Sequence, residues 1–142
     1  MTVKHEAKIF VWPMRVYWED TDAGGIVYNA SYLNFAQRAR SEFMRAFVCK
    51  ESECLGKFGV QLVVRHAEID YRASAKLDDM LDVSAEIIHV GNTSIGVVQH
   101  VRRENHLLAT VKMTLVATSP GGKAVRIPPQ LRQIFSSHKA AE

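Results

Sequence analysis

The chain has 142 residues, 47% of them apolar and 23% charged. That balance suits one folded domain with a real core and excludes a disordered or low-complexity chain. The net charge of +3 comes from 18 basic and 15 acidic residues, and its longest basic run, Arg102-Arg103, is too short for a nucleic-acid footprint and reads as a solvated strand end.

In chain order, the four-residue apolar run before Pro13 is too short for a signal-peptide core. No later segment approaches the ~20 apolar residues that span a bilayer. A soluble, cytoplasmic protein is expected. Met14 to Trp18 predicts a short strand. Glu19 to Tyr28 predicts a loop with a tight turn at Gly24-Gly25, where glycine tolerates positive φ. Ala30 to about Phe47 predicts one long amphipathic helix. Tyr32, Ala36, Ala39, Phe43 and Phe47 recur at three- and four-residue steps, with Leu33 and Met44 beside them. Asn29 or Ser31 is placed to cap it. Cys49 and Cys54 follow, without C-x-x-C spacing and without a second Cys/His cluster. They suit free thiols in a reducing cytoplasm rather than a metal site.

After Gly59 the apolar period becomes two. Gln61 to Tyr71, Leu81 to Val90, Ser94 to Arg103 and Leu107 to Thr118 predict strands, with turns at Gly91-Asn92 and Glu104-Asn105. The last three read as an antiparallel meander. Pro128-Pro129 opens a short helix to about Ser137. The sum is an α+β domain in which a curved antiparallel sheet wraps one long central helix. The sheet's other face would be exposed or would meet a second subunit.

The chemistry concentrates in YWEDTDAGGIVYNASYLNFAQRAR, Tyr17 to Arg40. A carboxylate, Asp20 or Asp22, stands beside the start of a helix, whose free N–H groups and partial positive charge can hold an oxyanion. That is a minimal acyl-transfer site. Taken alone, Asp22 reads first as a loop aspartate closing an Asx turn ahead of the glycines, and only second as a catalyst. Asp20 reads as structural, bonding loop backbone.

The pattern D-x-x-G-x-V-Y-x-x-x-Y, carried by Asp22, Gly25, Val27, Tyr28 and Tyr32, resembles the hotdog-fold acyl-CoA thioesterases. RVYWEDTDAGGIVYNASYLNFAQRAR, together with AEIDYRASAKLDDMLDV at residues 67 to 83, more closely resembles the YbgC branch, which is associated with the Tol–Pal envelope system. The likeness covers roughly residues 12 to 135 of a single domain spanning 1 to 142. It implies a hotdog fold and a homodimer with a continuous sheet, often doubled to a homotetramer. It implies active sites at the dimer interface and hydrolysis of acyl-CoA to acid and free CoA. The family's catalytic carboxylate falls on Asp22. Gly25, Val27, Tyr28, Asn29, Ala30 and Tyr32 become the substrate-binding candidates. CoA enters as part of the substrate, so no cofactor and no metal is expected. An envelope or acyl carrier protein is the further partner class.

Two positions depart from the YbgC pattern. Asn29 stands where that branch usually has histidine, and Gln37 where it usually has glutamate. Asn29 can hydrogen-bond a carbonyl but exchanges no proton near neutral pH. The hydroxybenzoyl-CoA thioesterase branch also lacks the histidine. A thiol with a pKa of roughly 8.5 leaves as thiolate without a general acid. One carboxylate and an oxyanion site, here the N–H groups around Tyr28 to Ala30, therefore suffice for a thioester. The competing reading is a hotdog protein that binds acyl-CoA or acyl carrier protein with little turnover. A hotdog dehydratase fits less well, because no histidine-bearing loop of that kind is visible.

Gln37 reads equally as facing the site or a polar helix face. Glu42 is a rival carboxylate better read as solvated. His66, His89 and His100 lie on strands and read as core or surface residues. Ser94 lacks the G-x-S-x-G elbow of a triad nucleophile. Arg65, Arg72, Lys76, Arg102, Arg103 and Arg126 are candidates to meet CoA phosphates.

Overall fold

The computed structural model describes residues 9 to 140. Strand β1 (Phe10–Arg15) leads through a 3-10 turn at Trp18–Asp20 to helix α1 (Ser31–Phe47) and a second helix, α2 (Glu51–Phe58). Strands β2 (Gln61–Tyr71), β3 (Met80–Val90), β4 (Ser94–Arg103) and β5 (His106–Thr118) follow, then helix α3 (Pro129–Ser137). The five strands form one antiparallel sheet in the order β1-β3-β4-β5-β2.

Alternation along the strands decides which face is buried. Leu81, Val83, Ala85 and Ile87 of β3, Ile95, Val97, Gln99 and Val101 of β4, and Ala109, Val111, Met113 and Leu115 of β5 are all buried. They receive α1, which buries Tyr32, Phe35, Ala36, Ala39 and Phe43. Register aligns these faces, with Val83 opposite Val101 and Val101 opposite Ala109. This is the hotdog arrangement that the resemblance implies. At the far end, α3 inserts Leu131 and Phe135 into the cluster around Ile87, Ile95 and Leu115.

The structure revises several local expectations. Strand β1 lies earlier than Met14 to Trp18. The chain leaves the sheet because the Asp20 carboxylate accepts the Tyr17 N–H at 2.8 Å and closes the 3-10 turn. Pro13 is tolerated within β1 because that strand is an edge. Helix α1 has no side-chain cap. Ala30 precedes it, Asn29 is exposed with no side-chain bond to the helix, and Ser31 is its buried first residue. The buried stripe of α1 includes Phe35 and Arg40 and leaves Phe47 41% exposed.

Helix α2 is an element the strand-and-helix reading lacks. Acidic residues in its first turn, Lys57 in its last, and Gly59 in the left-handed conformation mark it afterwards. Cys49 and Cys54 are disulfide-bonded across the α1–α2 connection rather than free. Among the described residues no helix is long and apolar enough to cross a membrane.

Candidate active site

The loop between the 3-10 turn and α1 is a small hairpin stitched to the segment before β3. Thr21 bridges to Val27 and Ile26 to Lys76, and the Val27 N–H donates to Ala75 O at 2.9 Å. At its tip the Asp22 N–H donates to Ile26 O (3.0 Å), and the Gly25 N–H donates to Asp22 O (3.1 Å). Gly25 takes φ +80°, which a side chain resists. The Gly24 N–H donates to Asp22 Oδ1 at 2.8 Å. Asp22 thus closes the Asx turn that its sequence position allowed. Its other oxygen, Oδ2, has no protein partner among the described residues. The turn orients the carboxylate and leaves one oxygen available.

Asp20 plays the structural part. It is 3% exposed, and its carbonyl accepts the Tyr28 N–H at 2.8 Å. That bond removes Tyr28 from the expected set of oxyanion donors. Among the described residues the N–H groups of Asn29 and Ala30 have no acceptor, backbone or side-chain. Both sit at the start of α1, where the helix dipole adds positive potential.

Asp22, Val27, Asn29 and Tyr32 meet at one crevice of about 340 Å³, whose far wall is Tyr71 and the segment Arg72 to Ser74. The Tyr32 hydroxyl accepts the Ala75 N–H at 3.1 Å, and its ring packs edge-on against Tyr71 with centroids 5.5 Å apart. Tyr71 donates its hydroxyl to Asn29 O at 2.8 Å. Burial, then the neighbouring Tyr32, pushes the Tyr71 phenol up, so it stays a neutral donor. This holds the chain just ahead of α1 in place.

Tyr71 is a site residue that reading by position did not single out. The signal was its place in the block from 67 to 83, at the end of β2. Gly25 shapes the loop without lining the crevice, and the Tyr28 side chain is 48% exposed.

The remaining candidates lie elsewhere. Gln37 faces a separate cavity, where its Oε1 accepts Arg40 Nη2 at 2.7 Å. Glu42 lies 3.8 Å from Arg45. His66 pairs with Glu68 at 3.0 Å. His100 stands 4.0 Å from Glu86, and burial, with Arg102 adding to it, lowers its pKa. His89 and Ser94 flank the turn at Gly91. Of the basic residues, Arg72 lines the crevice and bonds Asp70 at 2.8 Å. Arg103 is committed to Asp79 at 2.7 Å and to Ser74 O at 3.2 Å. Among the described residues no three His, Cys, Asp or Glu side chains converge as a metal site.

The model of the thioesterase-like superfamily matches residues 16–135. The acyl-CoA thioester hydrolase YbgC of Escherichia coli is 42% identical over 113 residues, covering 79% of this chain and 84% of that one. The acyl-CoA thioesterase YbgC of Haemophilus influenzae is 40% identical over 128 residues, covering 89% and 93%. A probable thioesterase from Bartonella henselae superposes with a TM-score of 0.81 at 30% identity, covering 85% of this chain and 100% of its own. By these matches the chain belongs to the thioesterase-like superfamily.

Proposed function

We propose that the protein is an acyl-CoA thioesterase in which Asp22 carries the reaction. The observation that carries this reading is the juxtaposition at the crevice. One oxygen of Asp22 is fixed by Gly24, the other is unengaged, and Asn29 lines the same crevice with an acceptor-free N–H at the start of α1; Ala30, whose N–H is also acceptor-free, follows it without lining the crevice. The N–H groups hold the thioester oxygen as it gains charge. Along one route Asp22 Oδ2 attacks the carbonyl carbon, the C–S bond breaks, and CoA leaves as thiolate. Water then cleaves the mixed anhydride. Along the other, Oδ2 takes a proton from water, and that water attacks. Both end in carboxylic acid and free CoA.

Strand β2 supplies the case for a homodimer. It is 11 residues long and, among the described residues, pairs only with β5 and leaves its outer edge open. Val63 and Val64 on it are 40% and 48% exposed. A long open edge with exposed valines is a template for a second strand. A second copy pairing there would continue the sheet. A CoA-linked substrate fits a cytoplasmic site of action.

The test is CoA release from short, long and aromatic acyl-CoAs by wild type and Asp22→Asn. Asparagine keeps the acceptor for Gly24, so the turn survives. A loss of at least about 100-fold, the scale of losing one polar catalytic contact, is expected. Near-full turnover by the variant removes Asp22 from either role. The absence of a histidine at Asn29 favours a second reading, binding of acyl-CoA or acyl carrier protein with little turnover. Tight binding with no release from any substrate selects it.

A further inference from the structure

A second cavity, about 220 Å³, lies between the helices and the sheet and shares no lining residue with the Asp22 crevice. Its floor is apolar. Phe43, Ile87, Ile95, Leu131 and Phe135 line it and are each 8% exposed or less. Its rim is polar, with Gln37 and Glu51 open to solvent. Such an arrangement suits an amphiphile entering tail-first.

Arg40 stands at the junction of the two. It is 8% exposed, and among the described residues it forms no ion pair. Neutral oxygens hold it: Nη1 donates to Gln99 Oε1 at 2.9 Å and Nη2 to Gln37 Oε1 at 2.7 Å. Gln99 is itself pinned, its Nε2 donating to Ala36 O at 2.9 Å and Ser84 O at 3.2 Å. The acids on the rim stand beyond ion-pair distance of Arg40, although the Glu51 charge acts on it. Glu51 accepts the Ser41 hydroxyl at 2.8 Å, and Glu86 faces His100. A guanidinium keeps its charge in a protein and pairs best with a carboxylate. Burial of Arg40 is only partly offset by the more distant Glu51 charge, and a carboxylate in direct contact recovers more of that cost.

We propose that this cavity binds a free aliphatic carboxylic acid, its carboxylate on the Arg40 guanidinium and its chain against Phe43, Ile87, Ile95, Leu131 and Phe135. The volume lies below the ~300 Å³ of ordinary ligand pockets, which favours a short or medium chain. The site stands apart from turnover at Asp22, and its test does not depend on hydrolysis.

The test is calorimetric titration of the intact protein with octanoate and with 1-octanol, which shares the tail and lacks the charge. Octanoate binds at least tenfold more tightly than octanol. Gln37→Glu places a carboxylate where Oε1 already meets Arg40, so it satisfies the guanidinium internally. It weakens octanoate at least tenfold and leaves the melting temperature unchanged or raised. Equal affinities for the two probes, no octanoate binding by wild type, or unchanged octanoate affinity in a folded Gln37→Glu protein each overturn the assignment. The last result places the acid elsewhere, the Asp22 crevice included. The wild-type comparison stands by itself if the variant does not fold.

Discussion

Gly24 and Gly25 are adjacent and do different things. Gly25 takes φ +80° with no atom within 4 Å of an added Cβ, so alanine there meets only conformational strain. The cost is about 1–2 kcal/mol, and thermal unfolding reads it as a lowered midpoint. A Cβ on Gly24 meets Asp22 Oδ1 at 3.1 Å, and φ there lies outside the strained region. Gly24→Ala therefore loses more turnover than stability, and Gly25→Ala loses both. Paired melting and CoA-release curves separate them; equal melting losses would contradict this division. The glycines were legible in the sequence as a turn. Which of them touches the carboxylate was not, because that depends on how the Asx turn folds back.

At the scale of elements, the start of α1 is built differently from a capped helix. Asn29 lies one residue before Ala30 and bonds through its backbone carbonyl to Tyr71, with no side-chain cap. Loss of a true N-cap costs about 1 kcal/mol. Asn29→Ala is expected to shift unfolding by less than about 0.5 kcal/mol, the range for surface positions outside such features. A loss near 1 kcal/mol in denaturant unfolding would restore the capping role. The long helix and strands β3 to β5 were legible because their apolar residues keep one period along most of each element, and β2 was legible from its valines and isoleucine. Helix α2 was not, since eight residues give barely two turns of periodicity. The stripe of α1 passed over Phe35 and Arg40 for another reason. One edge of its buried face is set by the sheet, and a charge there looks like surface until Gln99 is seen to receive it.

For the whole molecule, the open edge of β2 leads to an expectation about mass. Sedimentation equilibrium of the wild type gives at least twice the 16.0 kDa of the chain. Val63→Lys puts a charge on an exposed edge position and shifts the distribution toward monomer without unfolding it. A wild type that sediments as a monomer sinks the dimer. Several properties were legible in the residues alone. The α+β class, the antiparallel meander and the carboxylate ahead of a helix all rest on local periodicity and turn chemistry, which neighbours in sequence determine. Tertiary structure decided the rest. It took the Tyr28 N–H for Asp20 and left those of Asn29 and Ala30 open. It brought Tyr71 from the end of β2 to the start of α1, joined Cys49 to Cys54, and buried Arg40 against Gln99 across 59 residues of chain. The Tyr71 and Arg40 contacts join segments whose sequences carry no record of one another, so packing around the shared core sets their distances; the Cys49–Cys54 and Tyr28–Asp20 contacts are short-range but depend on how the intervening chain folds back.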